Sequence, residues 1–314
     1  MERIKKDINI LFVTRILRMF AYGFLSIILV LYLSQIGLTD YQIGLLITLT
    51  LIGDAVVSLW ITTNADIYSR KKMLIAGAIL MAAGGIVFLF TNNYMLLVIT
   101  AIVGVISPTG KEIGPFLSIE QAALAQIQST NELTKIFAWY NLAGSFAGAF
   151  GALGAGWLAE FLQKNGFSIT ASYKVILAGY GLIGILLSIL FIFLSPKIET
   201  NKIKDLQPIK RIFGLHKSKK IVLKLSSLFA LDSFAGGFII QSMIAYWFYL
   251  NFDLSIGTLG SIFFATNLVS GISALFAARL AKKNRLTQHN GFYASAIKYF
   301  IDIYSFDAES NPSN

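Results

Sequence analysis

Apolar runs long enough to cross a bilayer recur along almost the whole chain, and no other property limits its fold as strongly. A helix needs about 20 apolar residues to span the hydrocarbon layer. Eight segments meet that length: Ile8 to Leu33, Tyr41 to Thr62, Met73 to Phe90, Tyr94 to Ala123, Ile136 to Leu162, Tyr173 to Leu194, Val222 to Phe252 and Ile256 to Leu280. Met73 to Phe90 and Val175 to Leu194 contain no Asp, Glu, Lys or Arg, whereas helices that coat a soluble core alternate an apolar stripe with charged faces. Charged residues make up 13% of the 314 positions, about half the ~25% of a soluble domain. The chain therefore reads as an all-α polytopic membrane protein, and its apolarity excludes disorder.

The same residues exclude several functions. Without cysteine there is no disulfide scaffold, iron–sulfur cluster, thiol nucleophile or Cys-based zinc site. The two histidines, His216 and His289, sit in polar stretches and do not suggest a metal site. Gly-x-x-x-x-Gly-Lys-Ser/Thr, Gly-x-Ser-x-Gly and His-Glu-x-x-His are all missing, so no ATP motor, hydrolase elbow or zinc protease is indicated. No catalytic, cofactor-binding or metal residue is expected, and the chain is not expected to be an enzyme. The first span is longer than a signal-peptide core and no Ala-x-Ala follows it; it is expected to remain as an uncleaved anchor.

The net charge of +10 could indicate nucleic acid, but the basic residues are spread by topology. Arg3, Lys5 and Lys6 precede the first span; Arg70, Lys71 and Lys72 follow the second; Lys135 follows the fourth. Pro196 to Ile221 holds eight lysines and arginines, and Lys282, Lys283 and Arg285 follow the eighth span. The intervening turns, Ser34 to Asp40, Thr91 to Asn93 and that near Asp253, hold none, although Lys164 and Lys174 flank the turn after the fifth span. Lys and Arg collect on the cytoplasmic side, so the N-terminus is expected inside, in the plasma membrane. A nucleic-acid patch would lie on one face; the expected partners are the lipid bilayer and a small solute, with no nucleic acid.

Spacing and repetition suggest two halves. Tyr32-Leu33-Ser34 through Gln42-Ile43-Gly44 parallels Tyr249-Leu250-Asn251 through Thr258-Leu259-Gly260, and a basic cluster ends the helix that follows each. Repeated bundles mark secondary transporters. The expected organisation is a six-helix bundle over residues 1–195, a basic cytoplasmic linker over 196–221, an incomplete second bundle of two helices over 222–285, and an atypical polar tail over 286–314.

After the second span the chain reads Thr62-Thr63-Asn64-Ala65-Asp66-Ile67-Tyr68-Ser69-Arg70-Lys71. This resembles the Gly-x-x-x-Asp-Arg-x-Gly-Arg-Arg/Lys loop motif of the major facilitator superfamily. Asp66, Arg70 and Lys71 match, while Thr62, Ile67 and Ser69 depart from the two glycines and the first arginine. The resemblance covers about residues 8 to 285 and implies six helices plus the first two of a second half. It also implies that Asp66, Arg70 and Lys71 form a charge relay holding one inward or outward state; a snorkelling basic cluster is the alternative. The family pattern wants twelve helices, so a shifted frame or truncated gene is expected after Arg285.

Ionisable residues inside the spans are costly, by at least ~2.5–3.5 kcal/mol on insertion scales, and mark function by default. Arg15 and Arg18 share a face of the first span; Asp54 lies mid-way along the second; Lys111, Glu112 and Glu120 lie in the fourth; Asp232 and Gln241 lie in the seventh. The fourth span also contains Pro108, Gly110, Gly114 and Pro115, which should bend or break it. Broken backbone at membrane depth is tolerated where it lines a cavity. Arg15 and Arg18 either pair with Glu112 and Glu120 as structural ion pairs or, with them, bind a charged substrate or carry a proton. Asp54 and Asp232 suit proton exchange, although Asp54 could instead hydrogen-bond a neighbouring helix. Gly144, Gly148, Gly151, Gly154 and Gly156 in the fifth span suit close helix packing. Ala149 stands where family antiporters have proline, so antiport is not inferred. Trp139-Tyr140 and the run Tyr246 to Tyr249 read as interfacial belts or stacking surfaces. The sequence thus points to secondary active transport of a small solute by alternating access, with proton coupling as an option. The alternatives are a non-functional fragment and a non-transporting membrane scaffold.

Overall fold

The computed structural model describes residues 2–112, 114–128, 130–199, 223–224, 226–228, 230–231 and 240–287. Its elements are α1 (Glu2–Gln35), α2 (Asp40–Tyr68), α3 (Arg70–Phe90), α4 (Tyr94–Val103), α5 (Phe116–Ile127), α6 (Thr130–Lys164), α7 (Ile169–Ile192), a 3-10 turn (Pro196–Ile198), α8 (Gln241–Phe252) and α9 (Ile256–Thr287). No strand occurs among the described residues. The chain forms two compact units, Met1–Leu268 and Val269–Asn314. The first holds α1 to α8 and the start of α9; the described part of the second continues α9 to Thr287.

Local chemistry sets the helix ends. Thr39 accepts from the Gln42 amide while Gln42 accepts from the Thr39 amide, a reciprocal cap that starts α2. Asn93 and Ser168 cap α4 and α7 in the simpler way. Six described helices are long and apolar enough to cross a membrane: Ile4–Gln35, Asp40–Tyr68, Arg70–Phe90, Lys135–Lys164, Ile169–Ile192 and Ile256–Ser273.

The fourth expected span is two short helices. α4 stops at Val103 and α5 starts at Phe116, with both prolines and both glycines between them. Proline removes the amide that a continuous helix would use, and Gly110 and Gly114 adopt φ values of +66° and +104°. Of the seventh expected span, α8 is the part that forms a bounded helix among the described residues.

α1 is the most buried of the spans. It lies against α6 and α7, with α3 on α7 and α2 on α4. Its approach to α6 is backbone on backbone: a Cβ on Gly23 would stand 2.0 Å from the Gly148 carbonyl oxygen. Small residues permit this approach in lipid. The outward faces are apolar, with Ile52, Val56, Leu59 and Trp60 exposed on α2 and Leu182, Ile185, Leu186 and Ile189 exposed on α7. Apolar surface on this scale is stable only against hydrocarbon or a partner. The chain is an integral, multi-pass membrane protein. One expectation needs correction: Trp139 is 57% exposed, but its neighbour Tyr140 is fully buried and is no belt residue.

Candidate functional site

The costliest side chains converge on one point. α1 presents Arg15 and Arg18 one turn apart, the break after α4 presents Glu112, and the first turns of α5 present Glu120. Arg18 Nε donates to Glu112 Oε1 at 3.0 Å, and its Nη1 and Nη2 donate to the two oxygens of Glu120 at 2.8 and 2.6 Å. Arg15 pairs with Glu112. Arg18 and Glu120 have no exposed side-chain surface. The Tyr140 hydroxyl, carried in by α6, also donates to Glu120, and Thr14 donates to the same carboxylate at 3.5 Å. Arg15 lies over the Tyr140 ring at 5.1 Å and Arg18 over Phe116 at 4.5 Å.

Two guanidinium groups face two carboxylates, so the cluster is neutral. Desolvating four charges is affordable only with this degree of mutual hydrogen bonding, and the fork of Arg18 meets Glu120 in two parallel bonds. The break in the fourth span gives the geometry, because it lets Glu112 and Glu120 approach Arg18 from two directions rather than from one helix face. α6 leaves room at Gly144, where a Cβ would stand 2.6 Å from Arg15 Nε. That Nε is buried and has no hydrogen-bond partner among the described residues.

The remaining candidates fall at different places. Asp54 is 2% exposed on α2, and neither carboxylate oxygen has a hydrogen-bond partner among the described residues. Lys111 is exposed and joins no ion pair among the described residues. Gln241, at the start of α8, donates to Ser26 of α1 at 2.8 Å and accepts from Asn267 of α9 at 3.4 Å. Asp232 lies outside the described residues.

The loop motif forms the corner between α2 and α3. Arg70 Nε pairs with Asp66 at 2.8 Å, and its Nη1 donates to Gln126 at 2.7 Å and to the Ile198 carbonyl at 3.1 Å. Lys71 caps the end of α7 through the carbonyls of Ile192 and Leu194, where a cation complements the helix dipole. Ser69 stands at a glycine position of the motif with φ +152°. Its hydroxyl donates to Glu199, which also accepts the Arg70 and Lys71 amides.

Sequence reasoning missed Glu199, Gln126 and Tyr140. It also missed Asp7, which is buried and accepts from the Ser195 amide at 2.9 Å. Glu199 and Asp7 read as ordinary polar-segment acids. The one available signal for Tyr140 was its place one turn before Gly144, the first glycine of α6.

The family model of the Major Facilitator Superfamily matches residues 11–301. The chain belongs to the major facilitator superfamily. The match runs past Arg285, where the resemblance was expected to stop. Among relatives, the uncharacterized membrane protein YJR124C of Saccharomyces cerevisiae is 30% identical over 305 residues, covering 88% of this chain and 68% of its own length. The uncharacterized MFS-type transporter MJ1560 of Methanocaldococcus jannaschii is 22% identical, covering 87% and 67%. The quinolone resistance protein NorA of Staphylococcus aureus is 22% identical, covering 65% of this chain and 49% of NorA. Among solved structures, a bacterial homologue of the human drug peptide transporters PepT1 and PepT2 superposes with a TM-score of 0.50 at 15% identity, covering 88% of this chain and 55% of that one. That likeness shows the fold. The chain therefore spans between about half and two thirds of the proteins it resembles.

Proposed function

We propose that this major facilitator protein takes part in secondary active transport of a small solute by alternating access, coupled to protons. The observation that carries the reading is the neutral, buried cluster of Arg15, Arg18, Glu112, Glu120 and Tyr140 at the break in the fourth span. Discontinuous helices with charged groups at membrane depth suit solute and ion sites. Contacts between α8–α9 and the first six spans support a moving second half. Tyr246 bonds Asp40 and Ser34, and Glu160 accepts from Ser255 and the Gly257 amide. In this reading these bonds close one end, and Asp66, Arg70 and Lys71 lock the α2–α3 corner at the other. The protein sits in the plasma membrane with its N-terminus inside.

Reconstituted in liposomes with an imposed pH gradient, the protein is expected to accumulate a solute. A quinolone is the first probe, given the name of one relative. Glu112→Gln is expected to abolish accumulation while leaving membrane insertion intact. Normal accumulation by that variant would remove Glu112 from the mechanism. Insertion without accumulation of any solute by the wild type would instead favour a non-transporting membrane scaffold.

A further inference from the structure

Among the described residues, Arg15, Arg18 and Glu120 are buried and Glu112 nearly so, and these four charges balance. Every carboxylate oxygen of Glu112 and Glu120 accepts at least one hydrogen bond from Arg15, Arg18 or Tyr140. A proton added to either glutamate would strip an arginine of its counter-charge in a dry site, which is the costly way to break a buried pair. Asp54 is the odd carboxylate. It is 2% exposed, and its two oxygens accept nothing among the described residues. A Cβ placed on Gly114, at the end of the span-four break, would stand 3.7 Å from Asp54 Oδ1, so the break passes beside this carboxylate. Among the described residues, an ionised carboxylate here has neither a hydrogen bond nor an ion-pair partner to offset its lost hydration.

We infer that Asp54 is the group that takes up and releases the coupling proton, while the glutamates stay ionised in their arginine pairs. One phase supplies the proton, the carboxylate becomes a carboxylic acid, and the proton leaves to the other phase when the site changes access. The charged and titratable groups facing Asp54 are Glu112 from the break, Tyr22 from α1 and Tyr180 from α7. Tyr180 donates to the Val105 carbonyl at 2.8 Å and so is committed elsewhere. Glu112 is the one acid among them. It is held by Arg15 and Arg18, so a rearrangement of those pairs changes the charge that Asp54 faces and links proton binding to the cluster without a direct bond. No group of three or more potential metal-binding acids or histidines occurs among the described residues, so a proton fits the site better than a multivalent ion.

The inference rests on the transport reading only in calling this proton a coupling proton; the decisive measurement needs no solute. Infrared difference spectra of the full chain in lipid are taken across a pH titration, following the carbonyl band of protonated carboxyl groups. Wild type and Glu112→Gln are expected to show one buried carboxyl that titrates. Asp54→Asn, a near-isosteric change, is expected to lose that band, and Asp54→Glu to keep it at a shifted frequency. Persistence of the band in Asp54→Asn, its loss in Glu112→Gln, or a response to sodium in place of pH would overturn the assignment. A wild type that shows the band, loses it in Asp54→Asn, and yet accumulates no solute would instead count against the transport reading alone.

Discussion

Arg18 shows how one side chain is held by the cost of removing its partners. Its guanidinium touches both glutamates and stacks on Phe116, so deleting either carboxylate leaves a buried cation short of compensation. Glu120→Gln is expected to lower stability by about 3–5 kcal/mol, read as an earlier thermal unfolding in detergent. Tyr140→Phe removes a single donor from the same carboxylate and is expected to cost about 1 kcal/mol. Equal losses in the two variants would mean that the arginine pairs contribute little. Gly144→Ala brings a methyl to 2.6 Å from Arg15 Nε and is expected to displace that arginine. Helix spacing permits several pairings of Arg15 and Arg18 with Glu112 and Glu120, so the choice among them was not legible before the fold. It also hid Tyr140 beside Trp139, since two adjacent aromatics near a span end look alike until one is turned inward.

Elements were legible where hydropathy alone decides them. α1, α2, α3, α6 and α7 follow the apolar runs closely, because in lipid every backbone group must bond within its own helix. The interruption of the fourth span was legible from Pro108, Gly110, Gly114 and Pro115, but its consequence for Glu112 was not. That depends on how far the chain departs from helix between α4 and α5. Gly114 adopts φ +104°, a conformation that penalises any other residue. Gly114→Ala is expected to cost about 1–3 kcal/mol and to disturb Glu112, seen as lower thermal stability and altered Glu112-dependent activity. An unchanged melting temperature would mean that the turn can relax. Glu199 was invisible because it lies at the edge of a lysine-rich segment, where an acid has no pattern to fit. Its carboxylate nevertheless covers the first amides of α3. Glu199→Ala is expected to cost about 1 kcal/mol and to loosen the corner that holds Asp66 and Arg70, detected as faster amide exchange at the start of α3.

At the scale of the molecule, the cluster and the contacts made by α8 and α9 have to work together. Gln241 ties the start of α8 to Ser26 on α1 and to Asn267 on α9, and Tyr246 ties its middle to Asp40. In the proposed transport cycle, opening the face at Ser34, Asp40 and Tyr246 would require these bonds to break while the buried charges keep partners. The chain contains no cysteine, so single substitutions can be labelled without altering a native thiol. A membrane-impermeant maleimide is expected to reach Asn92→Cys and Lys72→Cys from opposite faces, since α3 separates them. The central claim, that this chain alternates between two states around its buried charges, is tested most directly with Gln35→Cys and Asn251→Cys. These exposed positions lie at the matching ends of α1 and α8. Spin-labelled in lipid and measured by pulsed electron–electron resonance, the pair should give two distances whose proportions shift in Glu112→Gln. A single distance, identical in wild type and variant, would contradict the account.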